Sequence, residues 1–510
     1  MISRNNNRVR PPTLLEAALP VVILVGLLAL SIFLFGDVSS EGANQVALLF
    51  ASVVAALIGR WIGHPWSEIK EAVTDGVSVA IGAMLILLSV GALIGTWSMS
   101  GTIVSMVYYG LEILSVKYFY VATCILCALV GMSIGSSWTV AGTLGVGLMG
   151  IAATLHLSPE ITAAAVISGA YVGDQMSPLS DTANLAAAVV ETEIFPHIRH
   201  MLWVTVPIFV LSCGIFYFLG IRSGEAAGAI NVEEVQRVLE SSFTISPVTL
   251  IPMVVILVLA LRKIPASISI FSGALLGGII AVVIQPEAVQ RFADDPDLPA
   301  MLASLKGVWK ALFGGYTADT GFPGLNALVS RGGMNSMLDT VWLIIAALTF
   351  GSILEHCGML GRILAPMLKR AQSAGRLVAT STLTCVGCNV MMADQYIAVA
   401  LPGRMYRTVF LRRGLSPRNL SLVLGASGTI TSPLVPWNTC GAFMAATLGV
   451  ATWDYLPYCF FNLLSPLVVV AFGLIGFRIL PLEGHEAKEE VPQAEGAILE
   501  HVMEPFGRQR

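Results

Sequence analysis

GDQMSPLSDTAN, residues 173–184, sets two aspartates around a Ser-Pro step inside an apolar stretch, and SPLVPWNT at 432–439 repeats that step in the second half of the chain. The segments holding these motifs, 160–195 and 418–450, are each too long for a single membrane crossing. Proline donates no backbone hydrogen bond and biases the residue before it away from the helical region, so each segment has to unwind at its Ser-Pro step. Unwound backbone persists at membrane depth only where it is buried in protein or lines a cavity. The two motifs therefore predict an all-α, membrane-embedded chain built around two broken helices, and they mark where a site belongs.

The rest of the composition agrees with a membrane chain. Of 510 residues, 55% are hydrophobic and 12% charged, and mean hydropathy is +0.80. Soluble domains carry about 25% charged residues. A net charge of −4 with no basic stripe outside the membrane-flanking loops argues against a nucleic-acid partner. Arg4, Arg8 and Arg10 precede an apolar run from Leu14 to Phe35 that is too long for a cleaved signal and lacks a small-residue end, so it reads as a first span with a cytoplasmic N-terminus. The pairs Cys124/Cys127 and Cys385/Cys388 sit in apolar segments with no histidine cluster to complete a zinc site, and read as helix packing.

Basic residues set the orientation. Arg60 and Lys70 follow 46–62, Arg262 and Lys263 follow 247–261, and Arg478 follows 456–477, marking cytoplasmic ends. An internal repeat organises what lies between. LSVGALIGTWSMSGTI (88–103) matches LTFGSILEHCGMLGRI (348–363), the two C-x-x-C pairs fall at a similar spacing, LSPE (157–160) matches LSPR (415–418), and SPLSDTAN (177–184) matches SPLVPWNT. Lys70 before 76–97, against Arg362, Lys369, Arg370 and Arg376 after 337–355, gives the copies opposite orientation. Residues 377–402 have basic residues on both sides, which calls for a re-entrant hairpin, and 118–155, interrupted at 131–137, is its counterpart. The expected organisation is N-terminal spans at 1–70, a first transporter repeat at 71–222, an external linker at 223–245, connecting spans and an external segment at 246–336, a second repeat at 337–480, and a cytoplasmic tail at 481–510. Inverted repeats of this kind are the common build of secondary transporters, with the site at the repeat interface near the midplane.

Few ionisable residues fall at membrane depth, and they cluster. Asp174 and Asp181 flank the first break, and Asp394 lies in NVMMADQYIA of the second hairpin. A carboxylate at the bilayer centre costs about 2.5–3.5 kcal/mol on insertion scales, so each calls for a reason. The functional reading is a cation and proton site. The bland one is a buried aspartate capping a half-helix, and it weighs most at Asp181. Ser177, Ser180, Thr182, Asn184, Ser432, Asn438 and Thr439 add hydroxyl and amide oxygens at the breaks, and Ser136, Ser137 and Thr139 do so in the first hairpin. With freed carbonyls and half-helix C-terminal ends, these suit a hard monovalent cation, with sodium expected at Asp174, Asp181, Asp394 and Asn438. Such hydroxyls also glue ordinary helices together, and only their coincidence with the breaks raises them. All seven histidines lie in loops, tails or helix ends. A proton carrier would then be an aspartate, since a low-dielectric surrounding favours the neutral acid. Competition of sodium and protons for one coupled set of carboxylates is itself an antiport mechanism. Glu16, Glu112 and Asp339 read as interfacial.

SGAYVGDQMSPLSDTANLA (168–186), NVMMADQYIAVALPGRMY (389–406) and LGASGTITSPLVPWNTCGAF (424–443) resemble the NhaC family of sodium/proton antiporters, and the likeness extends over most of 14–480. The resemblance implies an elevator-type carrier of the bacterial inner membrane with paired hairpins, working as a homodimer in the bilayer on small ions, with no cofactor beyond the transported sodium and protons. The same family holds exchangers of small carboxylates such as malate and lactate, and the quoted motifs do not separate the two. The absence of an arginine at membrane depth counts modestly against the carboxylate reading. Hydrolase, metalloprotease and phosphate-loop signatures are missing, so an enzyme is not expected, and inverted repeats with hairpins fit alternating access better than a channel.

Overall fold

In lipid each backbone polar group has to be satisfied within its own segment, so a long apolar run becomes a helix. The computed structural model, which describes residues 9–35, 39, 41–226, 232–318, 326, 329–370 and 373–482, is helical almost throughout. Among the described residues eight helices are long and apolar enough to cross a bilayer, or ten if each of two bent pairs counts as one span. A lone bridge between Leu415 and Pro481 is the sole β-type pairing among them.

An N-terminal pair, α1 (Leu14–Phe35) and α2 (Ala43–Ile62), leads through α3 (Trp66–Val79) into α4 (Ile81–Met99) and α5 (Thr102–Ile113). Next, α6 (Phe119–Ile134) and α7 (Ser137–Thr154) meet at Gly135 and Ser136. The first broken helix follows as α8 (Pro159–Met176) and α9 (Asp181–Val189). A long α10 (Ile194–Ala226), α11 (Val232–Ser242), α12 (Ile251–Leu261), α13 (Ala266–Ile284), α14 (Pro286–Ala293) and α15 (Ala300–Gly314) connect the halves. The second half opens with α16 (Leu338–His356) and α17 (Met359–Arg370), and α18 (Ala374–Met392) and α19 (Gln395–Arg412) meet at Ala393 and Asp394. The second broken helix begins as α20 (Pro417–Val423), passes through a π-helical stretch Leu424–Thr429, and resumes as α21 (Thr439–Leu448) before α22 (Phe460–Ile475). Both halves thus show a helix pair closed by a tight tip, then a helix broken at a Ser-Pro step.

The repeated LSP motif has a local cause. Ser158 and Ser416 are N-caps whose hydroxyls accept from Ile161 N and Arg418 N, and the proline after each takes the first helical position, where no donor is needed. Small residues then set how closely helices approach. A Cβ on Gly169 would lie 2.1 Å from Cys124 O, and one on Gly173 2.4 Å from Ala128 O, so α6 and α8 touch backbone to backbone. Cys124, Cys127, Cys385 and Cys388 are buried free thiols, as helix packing requires.

One part of the chain lies deeper than its composition suggests. Within 285–335, read from sequence as external, Gly332 and Gly333 take φ of +90° and +85° and press against α4, where Gly333 N donates to Gly91 O at 2.7 Å. A side chain at either glycine would strain the turn and strike backbone within 2.5 Å. Arg331 is carried inward, its Nε buried and its Nη2 3.5 Å from Val146 O of α7. The glycines beside it pack on α4 and on the chain just after α15, and Tyr316 N donates to Arg331 O at 3.4 Å. Residues 227–231 of the expected linker, and the tail from 483 onward, lie outside the described residues.

Candidate functional site

A cavity of about 920 Å3 opens where both hairpin tips and both breaks converge. The first tip supplies Ile134 to Thr139, the first broken helix Asp174, Pro178, Leu179, Asp181 and Asn184, the second tip Asp394, Gln395 and Tyr396, and α21 supplies Thr439. The opposite wall comes from the start of α4 and from the turn between α12 and α13, where Lys263 is the only cation among the described lining residues. All three aspartates singled out from the sequence face this one space.

Asp174, in the last turn of α8, is 3% exposed. Its Oδ2 accepts from the Ser137 hydroxyl at 2.8 Å and from Ser137 N at 3.3 Å. The approach is possible because Gly135, at φ +74°, folds the first tip onto the backbone of Leu179 and Ser180. The other oxygen, Oδ1, is buried and has no hydrogen-bond partner. A buried carboxylate oxygen without a donor is costly unless something cationic or acidic meets it. Ser180 and Asp181 are its further polar neighbours.

Capping in the first break falls to Ser180, whose hydroxyl accepts from Ala183 N at 3.1 Å. Asp181 is exposed in the first turn of α9. Its Oδ1 takes the N–H of Thr182 at 2.8 Å, and its Oδ2 accepts from the Tyr396 hydroxyl at 2.6 Å, a bridge between the two halves. Thr182 Oγ1 lies 3.0 Å from Ser180 Oγ. Ser177 Oγ accepts from Leu179 N, and Asn184 donates to Pro178 O and Ser180 O, so these two hold the shape of the break. In the first tip Ser136 caps α7, and Thr139 returns both its N–H and its hydroxyl to Ser136 Oγ.

Asp394 carries a cap as well as a place in the cavity. Its Oδ1 accepts from Tyr396 N at 2.9 Å and Ile397 N at 3.0 Å at the start of α19, while Thr439 lies beside it. Asn438 points elsewhere: Oδ1 caps α21 at Cys440 N, and Nδ2 donates to Asn389 O and Oδ1. It sits behind the cavity, joining the second break to the second hairpin. Ser432 donates to Thr429 O at 2.7 Å and reaches Tyr171 of α8 at 3.4 Å, also behind the cavity. Of the twelve positions expected, Asp174, Asp181, Asp394, Ser137, Thr139, Asn184 and Thr439 line the space, and Ser177, Ser180, Thr182, Ser432 and Asn438 support it.

Several contributors escaped the sequence reading. Tyr396 and Gln395 stand inside NVMMADQYIA but carry no signal of their own. Trp138 stacks on Phe443 with ring centres 4.0 Å apart, tying the first tip to α21. Gln175 Nε2 donates to Gly425 O at 2.9 Å, linking the two broken helices directly.

The model of the Na+/H+ antiporter family matches residues 12–182 and 169–477. The chain is similar to the Na+/H+ antiporter NhaC of Alkalihalophilus pseudofirmus, at 36% identity over 85% of this chain and 91% of that one. It is similar to NhaC of Bacillus subtilis at 32% identity, covering 84% and 92% of the two chains. The malate-2H+/Na+-lactate antiporter of Bacillus subtilis is 33% identical over 94% of this chain and 99% of its own. A family match over nearly the whole membrane-spanning length, on a polytopic helical chain whose acidic cavity lies at two helix breaks, leaves one assignment: this chain belongs to the Na+/H+ antiporter family.

Proposed function

We propose that this antiporter exchanges sodium for protons across the bacterial inner membrane, with Asp174, Asp181 and Asp394 as the shared carriers. The observation that carries the reading is how the half-helix N-termini around the cavity are used. α7 is capped by Ser136 and meets Asp174, α9 is capped by Ser180, and α19 by Asp394. An organic anion would need such N-termini free. They are already taken by the protein's own oxygens, and three carboxylates face one lysine across the space. The field in the cavity therefore favours a cation.

A sodium ion would take Asp174 Oδ1, an oxygen of Asp181 or Asp394, the Thr439 hydroxyl and carbonyls freed at the break. Protons compete for the same carboxylates, so the occupied and protonated forms exclude one another. Lys263 at the mouth belongs to a cytoplasmic end by the positive-inside rule, which supports an inward-open state. In the elevator reading the tips and broken helices carry the site as one body past α4 and the α12–α13 turn, with the two halves in inverted orientation and two chains forming a homodimer. Exchange of a small carboxylate is the second reading, favoured by the malate-lactate relative.

Proton movement in everted membrane vesicles separates the two. Sodium addition is expected to collapse a preformed pH gradient in vesicles holding the chain and not in empty ones. A response to malate or lactate, with none to sodium alone, overturns the proposal.

A further inference from the structure

Where α2 ends, α3 begins and α16 ends, two histidines and a glutamate meet away from the transport cavity. His64 Nδ1 lies 3.6 Å and His356 Nε2 3.7 Å from the same oxygen of Glu68, Oε2. The imidazole centres are 5.1 Å apart and tilted by 58°, and the three ligand atoms all fall within 4.8 Å of one another. Neither distance is a hydrogen bond. Both nitrogens are buried without a hydrogen-bond partner, although each is aimed at an acceptor. Two buried imidazole nitrogens thus converge on one carboxylate oxygen.

We infer that His64, Glu68 and His356 form a binding site for a zinc-class divalent cation. The donor set selects the class. Two imidazoles and one carboxylate suit Zn2+, Co2+ or Ni2+, whereas Mg2+ and Ca2+ take oxygen shells and Cu+ takes sulfur. At Zn–N and Zn–O lengths near 2.1 Å, tetrahedral ligand atoms stand about 3.4 Å apart, so the two short separations need close only slightly. Three protein ligands leave the fourth position to water, and Glu68, whose side chain is half exposed, supplies the way in. The ion would clamp the N-terminal helix pair to α16. That helix in turn lies on the second tip, Gly351 resting against the Met392 backbone.

The test uses the full-length chain, purified in detergent without a polyhistidine tag and titrated with Co2+ while its visible absorption is followed. Binding of about one Co2+ per chain is expected, displaced by Zn2+ and untouched by Mg2+. His64→Ala and His356→Ala are each expected to weaken Co2+ binding at least tenfold while keeping sodium-dependent proton movement, which reports their folding. Glu68→Gln alters a half-exposed side chain, so it decides the matter even if a histidine variant does not fold. Its Co2+ affinity is expected to fall about tenfold. No Co2+ spectrum in the parent chain, or an unchanged one in Glu68→Gln, overturns the inference.

Discussion

At the scale of single residues, the aspartates divide their labour by what else they hold. Asp174 ties one oxygen to Ser137 and leaves the other buried without a hydrogen-bond partner. Asp174→Asn is expected to abolish sodium-driven proton movement in everted vesicles while leaving insertion intact, since the amide keeps the shape and cannot exchange a proton. Ser137→Ala removes a hydrogen bond to a charged group, a contribution of about 1.5–3 kcal/mol. The sodium concentration for half-maximal activity should then shift roughly tenfold or more. Asn438 behaves differently. The sequence suggested a sodium ligand, but its side chain is spent on Cys440 N and Asn389. Asn438→Ala is accordingly expected to lower stability by about 1 kcal/mol, the usual worth of an N-cap, with little change in half-activating sodium. A sodium curve displaced as far as that of Ser137→Ala would return Asn438 to the site.

At the scale of elements, the helices around the cavity are held by close approach more than by side-chain volume. Without a hydrophobic force between helices in lipid, small residues that let backbones touch supply the packing. Gly173 is the sharpest case, because a Cβ there would meet Ala128 O at 2.4 Å and Met132 N at 2.6 Å. Gly173→Ala is expected to push α8 off α6 at a cost of about 1–3 kcal/mol, and to displace Asp174, the next residue, from Ser137. Gly214 in α10 has nothing within 4 Å, so Gly214→Ala is the matched control. Thermal unfolding in detergent should separate the pair, and equal midpoints would mean that α6 and α8 give way without strain.

At the scale of the whole molecule, the site exists only because two halves of one chain face each other. Tyr396–Asp181, Trp138–Phe443 and Gln175–Gly425 each join a residue of the first half to one of the second. The orientation of that assembly rests on charge, and cysteine labelling checks it. Lys263→Cys, at the cavity mouth, and Arg412→Cys are expected to react with an impermeant thiol reagent from the cytoplasmic side, and Gln236→Cys from the other. Labelling of Gln236→Cys and Arg412→Cys from one side would remove the inverted arrangement. Labelling of Lys263→Cys from the periplasmic side would make the cavity outward-facing.

Much of this protein was legible before any tertiary contact was known. Apolar length made it a polytopic helical membrane chain, because a bilayer leaves backbone no other way to satisfy its polar groups. The Ser-Pro steps located both breaks, since proline's missing donor is a local property that no packing can restore. Rare carboxylates at depth, Asp174, Asp181 and Asp394, stood out for the cost of placing them there. What the sequence could not assign was which oxygen each residue has left to offer. Asn438 and Asp394 read alike as polar groups at a break, yet Asn438 turns back to Asn389 while Asp394 caps α19 at the edge of the cavity. Arg331 Nε is buried only because two glycines let its loop press against α4, and Tyr396 gained a role only when the second tip came within 2.6 Å of Asp181. Hydrogen-bond partners hundreds of residues apart are chosen by the fold, and a local pattern holds no record of that choice.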